Sequence, residues 1–233
     1  MNSRSVSVVI PFYNESQHVG RCLERVLKQT CVEEVLLVND GSVDNPHLSL
    51  TGFMDDPRVR LIDHPVNRGK GAALRTGFAV VTSPIILTQD ADLEQDPDDY
   101  EKLIAPILAN ELDVVFGTRF PQRKRHANQQ YVHYLANRVL TWLSNLTTGL
   151  NLPDMETGYK VFRSEIISGI TLREKRFGIE PEITAKISAL KEKPRIYEIG
   201  ISYSGRTYME GKKINWRDGL WAIYCIVRYN LFG

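Results

Sequence analysis

Short β-branched runs, each closed by polar turn residues, alternate along the first half of this chain with segments of helical periodicity. Val6–Ile10 and Val35–Val38 are the first two runs, and they read as strands buried on both faces. Between them Val19, Cys22, Leu23, Val26 and Leu27 follow i, i+3, i+4, i+7, i+8, the stripe of a helix packed on a sheet. The order continues with a strand at Val59–Ile62, a helix over Lys70–Val81, a strand at Ile85–Thr88, a helix starting at Pro97 behind an Asp96 cap, and a strand at Val114–Gly117. Such alternation implies an α/β fold, a mostly parallel central sheet with helices on both faces, because right-handed crossovers put them there.

After Arg119 the alternation breaks. Pro121–Gln130 is polar and basic and reads as a mobile loop, and Val132, Leu135, Ala136, Val139, Leu140 and Leu143 then mark a long amphipathic helix. Tyr159–Phe162 and Arg195–Ser202 read as further strands flanking a helix begun by Pro181. No repeat or linker divides the chain, so one domain over residues 1–213 with an amphipathic C-terminal helix over 214–233 is expected.

Composition removes several classes of function. With 29 Lys plus Arg against 28 Asp plus Glu, the net charge of +1 gives no electrostatic basis for broad nucleic-acid binding. Cys22, Cys31 and Cys225 are odd in number and lack metal-ligand spacing, so neither a disulfide framework nor a zinc site is expected, and a reducing cytoplasm is the default. No signal-peptide pattern precedes the first strand. The longest apolar run, Leu220–Val227, falls short of the ~20 residues that a spanning helix needs.

Three polar clusters directly follow strands: Pro11, Tyr13, Asn14 and Glu15; Asn39, Asp40 and Gly41; Asp90, Asp92 and Glu94. In an open parallel sheet the carboxyl ends of the strands share one edge, where ligands bind, so these distant residues converge. Asp90-Ala91-Asp92 at that edge suits a hard divalent cation, Mg²⁺ or Mn²⁺, which prefers oxygen ligands and bridges phosphate oxygens. Asp96-Pro97-Asp98 has the same spacing but reads as charge at a helix N-terminus. Tyr13, Asn14 and Glu15 also read as a turn and helix cap, and Asp40-Gly41 as a tight turn. Asn67-Arg68-Gly69-Lys70-Gly71 is either a flexible helix entry or a phosphate-binding one. Walker spacing and a Gly-x-Gly-x-x-Gly fingerprint are both missing.

Taken in order, Val8-Val9-Ile10-Pro11-Phe12-Tyr13-Asn14-Glu15, Val38-Asn39-Asp40-Gly41-Ser42, Asn67-Arg68-Gly69-Lys70-Gly71, Asp90-Ala91-Asp92-Leu93, Gly117-Thr118-Arg119 and Ser204-Gly205-Arg206 resemble inverting family 2 glycosyltransferases of the GT-A fold. The resemblance is strongest to polyprenyl-phosphate sugar synthases of the dolichol-phosphate mannose synthase type. It implies that Pro11, Tyr13, Glu15, Val38, Asp40, Lys70 and Ala91 hold the nucleotide of the donor, while Asp90, Asp92 and Glu94 hold Mg²⁺ or Mn²⁺ on its diphosphate. Arg206 and Lys212 would reach the diphosphate and the acceptor phosphate, and Glu156 and Thr157 would line the donor sugar. Asp92, Arg119 and Arg206 would form the catalytic group. Synthases of this type usually carry, after Gly-Thr-Arg, an Arg followed four residues later by Ser. Here Gln129 and His133 stand there, so acceptor binding falls to Arg119 with Arg123, Lys124, Arg125 or His133.

An ionised phosphate acceptor needs no general base, whereas its approach to a diphosphate needs cations, since each pair of unit charges at about 4 Å costs about 4 kcal/mol at an effective dielectric of about 20. The resemblance thus implies transfer of a hexose, with GDP-mannose favoured over UDP-glucose or UDP-GlcNAc, to a polyprenyl phosphate. The enzyme would sit peripherally at the cytoplasmic face of a membrane or on a membrane-embedded partner, through the aromatic C-terminal helix or with that helix packed back on the domain. A hydroxyl acceptor would instead need a base, for which Glu156 and Asp154 are the nearby carboxylates. A nucleotide-sugar-binding module without turnover is the reading from another class.

Overall fold

The computed structural model describes residues 5–119, 128–206 and 216–232, with the side chains of 128–133 and 216 outside the description. Its elements in chain order are β1 (Val6–Phe12), α1 (Val19–Leu27), β2 (Val32–Asn39), α2 (His47–Leu50), β3 (Val59–Asp63), α3 (Lys70–Phe78), β4 (Ile85–Thr88), α4 (Tyr100–Leu108), β5 (Val114–Thr118), α5 (Asn128–Thr148), β6 (Lys160–Arg163), α6 (Ser164–Ser168), α7 (Ile179–Ala189), β7 (Ile196–Gly200) and α8 (Trp216–Leu231). The strands form one sheet in the order β3-β2-β1-β4-β6-β5-β7. β6 runs antiparallel to both its neighbours and the other pairings are parallel. The expected Lys70–Val81 helix is shorter, ending at Phe78. Asp96 accepts a bond from Asp98 N, but one 3-10 turn over Pro97–Asp99 precedes α4. α7 starts at Ile179, which leaves Pro181 in a first turn where no intrahelical N–H is required.

Period-2 alternation along the strands splits the core into two layers. On one face Val8, Ile10, Val35, Leu37, Val115 and Val161 pack against Cys22, Leu23 and Val26 of α1 and Leu103, Ile104 and Ile107 of α4. On the other, Val9, Leu36, Val114, Phe116 and Phe162 meet Leu74 of α3 and Ile179, Ile183 and Ile187 of α7. Pro11 sits in a central strand at no cost on the β4 side, because the β1–β4 register ends at Val9↔Thr88.

α8 docks on the domain through Ala222 and Ile226, which join Leu140 and Met155, and through Cys225 and Tyr229, which join Ala185. The buried Glu174 anchors it by accepting from Trp221 Nε1 at 2.9 Å and from Tyr229 Oη at 2.7 Å. The outer faces of α5 and α8 leave Leu135, Val139, Trp142, Leu146, Leu220, Ile223 and Tyr224 exposed. Among the described residues no helix is long and apolar enough to cross a membrane, and all three cysteines are free.

Candidate active site

The carboxyl ends of β1, β2, β4 and β5 bring the predicted residues to one edge. After β1, Asn14 adopts φ 50° and is laced to the turn beyond β2: its N donates to Ser42 Oγ at 2.9 Å and its Oδ1 accepts from Val43 N at 2.9 Å. Asparagine tolerates that left-handed conformation, so the turn reading of Asn14 holds. Glu15, nearly buried, accepts from Arg206 Nη1 at 3.2 Å and pairs with His18 Nδ1 at 2.9 Å.

Two residues expected to hold the nucleotide have side chains engaged within the protein. Asp40 is 2% exposed, its Oδ1 takes His64 Nδ1 at 2.8 Å and Arg68 N at 3.0 Å, and its Oδ2 takes Gly69 N at 2.6 Å. The carboxylate thus shapes the turn into α3, where Gly69 has φ 97°. A side chain at Gly69 would also strike Lys175 O at 2.3 Å, so only glycine fits. Val38 is fully buried beneath α3, beside Gly77, and its side chain is part of the core.

Lys70, the first residue of α3, reaches Asp90 Oδ1 at 2.7 Å and Glu180 Oε1 at 3.3 Å. Burial works against its ammonium, yet Asp90 and then Glu180 outweigh that and hold its pKa above the usual lysine value. Beyond β4, Asp90 N donates to Gln95 Oε1 at 3.2 Å, Leu93 takes φ 63°, and Asp92 Oδ1 accepts from Glu94 N at 3.1 Å. Burial, followed by the charges of Asp90 and Glu94, raises the Asp92 carboxyl well above the ordinary carboxylate range. Two hard oxygen donors crowded at a sheet edge gain by adding a divalent cation, so the donor set fits Mg²⁺ or Mn²⁺.

Glu94, expected as a third ligand, is engaged within the protein. Both oxygens of Glu94 are taken, by Tyr203 Oη at 2.5 Å and by Arg206 N at 2.6 Å, and among the described residues no three His, Cys, Asp or Glu side chains gather as a metal-holding group. Glu94 instead fixes the 203–206 turn over the edge. The guanidinium of Arg206 bonds Glu15 and donates through Nη2 to Asp92 O. Arg206 therefore lies against the turn that carries Asp92. Lys212, Arg123, Lys124 and Arg125 lie outside the described residues, as do the side chains of Gln129 and His133.

Arg119 also meets a prior partner. Its Nε and Nη2 close on Asp154 at 2.7 and 2.6 Å, its backbone N adds a bond at 3.1 Å, and Tyr203 lies with its ring centroid 5.6 Å from the guanidinium. Arg119, expected to orient acceptor oxygens, thus already sits in a bidentate pair whose acid, Asp154, is fully buried. Glu156 differs. Its Oε1 is buried without a hydrogen-bond partner, and burial, then the charge of Glu180, pushes its pKa up to about 7 against the pull of Lys160 and Arg119. Sequence reasoning passed over Lys160 and Glu180. A lysine beginning the strand Lys160–Arg163 was the available signal, since the strand otherwise reads Val161-Phe162 and a charge in a central strand demands a partner.

Comparison with known proteins adds an independent line. The model for Glycosyl transferase family 2 matches residues 7–171. An uncharacterized protein of Methanocaldococcus jannaschii is 27% identical over 237 residues, covering 100% of this chain and 95% of that one. A dodecaprenyl-phosphate galacturonate synthase of Rhizobium johnstonii is 26% identical over 214 residues, 89% of this chain, which spans 61% of the relative's length. Among solved structures, a glucosyl-3-phosphoglycerate synthase from Mycobacterium tuberculosis, in complex with Mn²⁺, UDP and phosphoglyceric acid, superposes with a TM-score of 0.76 at 17% identity, covering 99% of this chain and 80% of that one. At that identity the likeness is one of fold, the GT-A fold.

Proposed function

The chain belongs to glycosyl transferase family 2, and we propose that it transfers a hexose, with inversion, from a nucleoside diphosphate sugar to a polyprenyl phosphate. The observation that carries this reading is the meeting of Asp90 and Asp92 with Lys70 and Arg206 at one sheet edge. That edge presents two carboxylates for a cation and two cations for phosphate oxygens. Asp90 and Asp92 would hold Mg²⁺ or Mn²⁺, which supplies Lewis-acid neutralisation of the leaving diphosphate. Lys70 would meet diphosphate oxygens from the N-terminus of α3, where backbone dipoles also favour an anion. Arg206 is aimed in advance by Glu15, Glu94 and Asp92 O, so little ordering remains when phosphate arrives. Arg119, locked to Asp154, serves as a fixed wall beside Tyr203. GDP-mannose is the favoured donor, with UDP-glucose and UDP-GlcNAc as alternatives. The name of the Rhizobium relative supports the polyprenyl phosphate acceptor, and the Mn²⁺ and UDP of the mycobacterial structure support the cation.

The insoluble acceptor would be met at a bilayer surface. In support, α5 and α8 pack together and each carries exposed apolar side chains, α5 contains no Asp or Glu, and Trp142, Trp221 and Tyr224 suit an interfacial depth. A membrane-embedded partner would use the same face.

One observation favours a second reading, a sugar hydroxyl as acceptor. Glu156, with an unpartnered buried oxygen and a pKa near neutrality, has the properties of a general base, which Asp154, closed on Arg119, does not. Transfer assays with the three nucleotide sugars, offering a short-chain polyprenyl phosphate or the corresponding polyprenol-linked sugar, separate the two. Product from the phosphate alone, retained in Glu156→Gln, supports the first reading. Product from the hydroxyl acceptor alone, lost in Glu156→Gln, overturns it, and nucleotide-sugar binding without any product would leave a binding module.

A further inference from the structure

A string of alternating charges runs inward from the cation-binding edge. Lys70 Nζ lies 2.7 Å from Asp90 Oδ1 and 3.3 Å from Glu180 Oε1, and the other oxygen of Glu180 pairs with Nζ of Lys160. Lys160 is 1% exposed, donates also to Thr157 O, and lies 5.0 Å from the centroid of the Phe116 ring. An ammonium at that depth requires its carboxylate partner. The four residues come from four places: the turn after β4, the first residue of α3, the first turn of α7 and β6. Their backbones are tied together. Ala72 N donates to Lys175 O at 3.0 Å, and a Cβ on Gly71 would fall 2.6 Å from Glu174 O. Gly158 leaves the slot in which the string begins, since a Cβ there would fall 2.2 Å from Asp90 Oδ2 and 3.0 Å from Lys70 Nζ.

We propose that Lys70 is shared between Asp90 and Glu180, and that Glu180, anchored by Lys160, is the positioning residue that lets Lys70 release Asp90 to a divalent cation. The inference rests on the proposed cation role of Asp90 and Asp92, and it adds two residues that touch neither cation nor donor. An ammonium 2.7 Å from Asp90 Oδ1 and a divalent ion on the same carboxylate repel each other strongly in a partly buried site, so the pair to Lys70 weakens the hold on the ion. The ammonium needs a second carboxylate within reach of a small side-chain rotation. Glu180 Oε1 is that group, and Lys160 keeps it in place by holding the opposite oxygen. Removing Lys70 therefore frees Asp90 for the cation, whereas removing Glu180 leaves Lys70 with Asp90 as its carboxylate partner and makes it the stronger competitor.

The test is Mn²⁺ binding without nucleotide, read from the free-ion electron paramagnetic resonance signal, in the parent and in Lys70→Met, Glu180→Gln, the Lys70→Met/Glu180→Gln double variant and Asp92→Ala. Lys70→Met tightens Mn²⁺ binding and Glu180→Gln weakens it, each by on the order of tenfold. The double variant binds like Lys70→Met, because Glu180 acts only through Lys70. Glu180→Gln leaves Lys160 buried without its acid, so Glu180→Gln/Lys160→Met is measured beside it, with thermal melts to establish folding, and shows the same weakening. Equal affinity in the parent and Lys70→Met overturns the proposal, as does a Glu180→Gln loss that persists in the Lys70→Met background. Parent-like Mn²⁺ binding by Asp92→Ala sinks the cation reading itself, a separate outcome.

Discussion

Replacing Asp154 by asparagine removes one charge from a pair that has little water to turn to. Asp154 is fully buried, and its oxygens take Arg119 Nη2 at 2.6 Å, Nε at 2.7 Å and N at 3.1 Å. An amide retains one acceptor oxygen and turns a donor toward Nη2 or Nε, so an N–H must face an N–H. Taking one partner from a buried pair costs about 3–5 kcal/mol. At ~2–4 °C per kcal/mol for a chain of this size, the melting temperature of Asp154→Asn falls by roughly 6–20 °C. Urea unfolding and calorimetry at neutral pH measure it. Replacing both partners, as Asp154→Leu/Arg119→Met, costs less than the sum of the single changes, because no uncompensated charge remains. A loss for Asp154→Asn below about 1 kcal/mol, the level of an exposed ion pair, would refute the assignment of Arg119 to a locked structural wall.

Other consequences follow from the same geometry. Gly158→Ala places a methyl 2.2 Å from Asp90 Oδ2 and must displace that carboxylate, so sugar transfer drops by on the order of 100-fold in kcat/KM, the scale of a 1 Å misplacement. Unchanged kinetics would show that Asp90 is not held in place there. Because the Glu156 carboxyl is pushed up from 4.5 to about 7, the folded chain binds its proton more tightly than the unfolded chain. The stability this gives is whole below the unfolded value and is lost as pH rises through about 7. Thermal melts of Glu156→Gln relative to the parent should therefore improve from about pH 5 to about pH 8, and a pH-independent difference would contradict the burial of an ionisable carboxyl. Trp142→Glu/Leu146→Glu places two charges on the exposed face of α5 and lowers co-sedimentation with anionic liposomes several-fold, whereas undiminished binding would place lipid contact elsewhere.

Much of the frame was legible in the sequence because strand and helix periods are set by burial. The β-branched runs at Val6, Val35, Val59, Ile85 and Val114 each became a strand, and the stripe from Val19 to Leu27 became α1. The reversal of β6 was not legible, since strand direction follows from the path of α5 and no local pattern encodes it. At the site, motif spacing located Asp90, Asp92, Lys70 and Arg206 at one edge but could not tell which polar groups the protein satisfies internally. Asp40 is consumed by His64 and two backbone amides, Glu94 by the 203–206 turn, and Arg119 by Asp154. Each of these partners lies 24 or more residues away along the chain, and a linear motif carries no such pairing. α8 shows the same limit: its aromatic stripe suggested lipid or domain as alternatives, and the folded helix buries one side on α5 and α7 while exposing the other.

The most direct measurement is transfer from radiolabelled nucleotide sugar to a short-chain polyprenyl phosphate, with Mn²⁺ or with EDTA, comparing the parent with Asp92→Ala. The account predicts a Mn²⁺-dependent glycosyl phosphate product from the parent, abolished by EDTA and by Asp92→Ala. Product formed equally well by Asp92→Ala, or undiminished in EDTA, would contradict it.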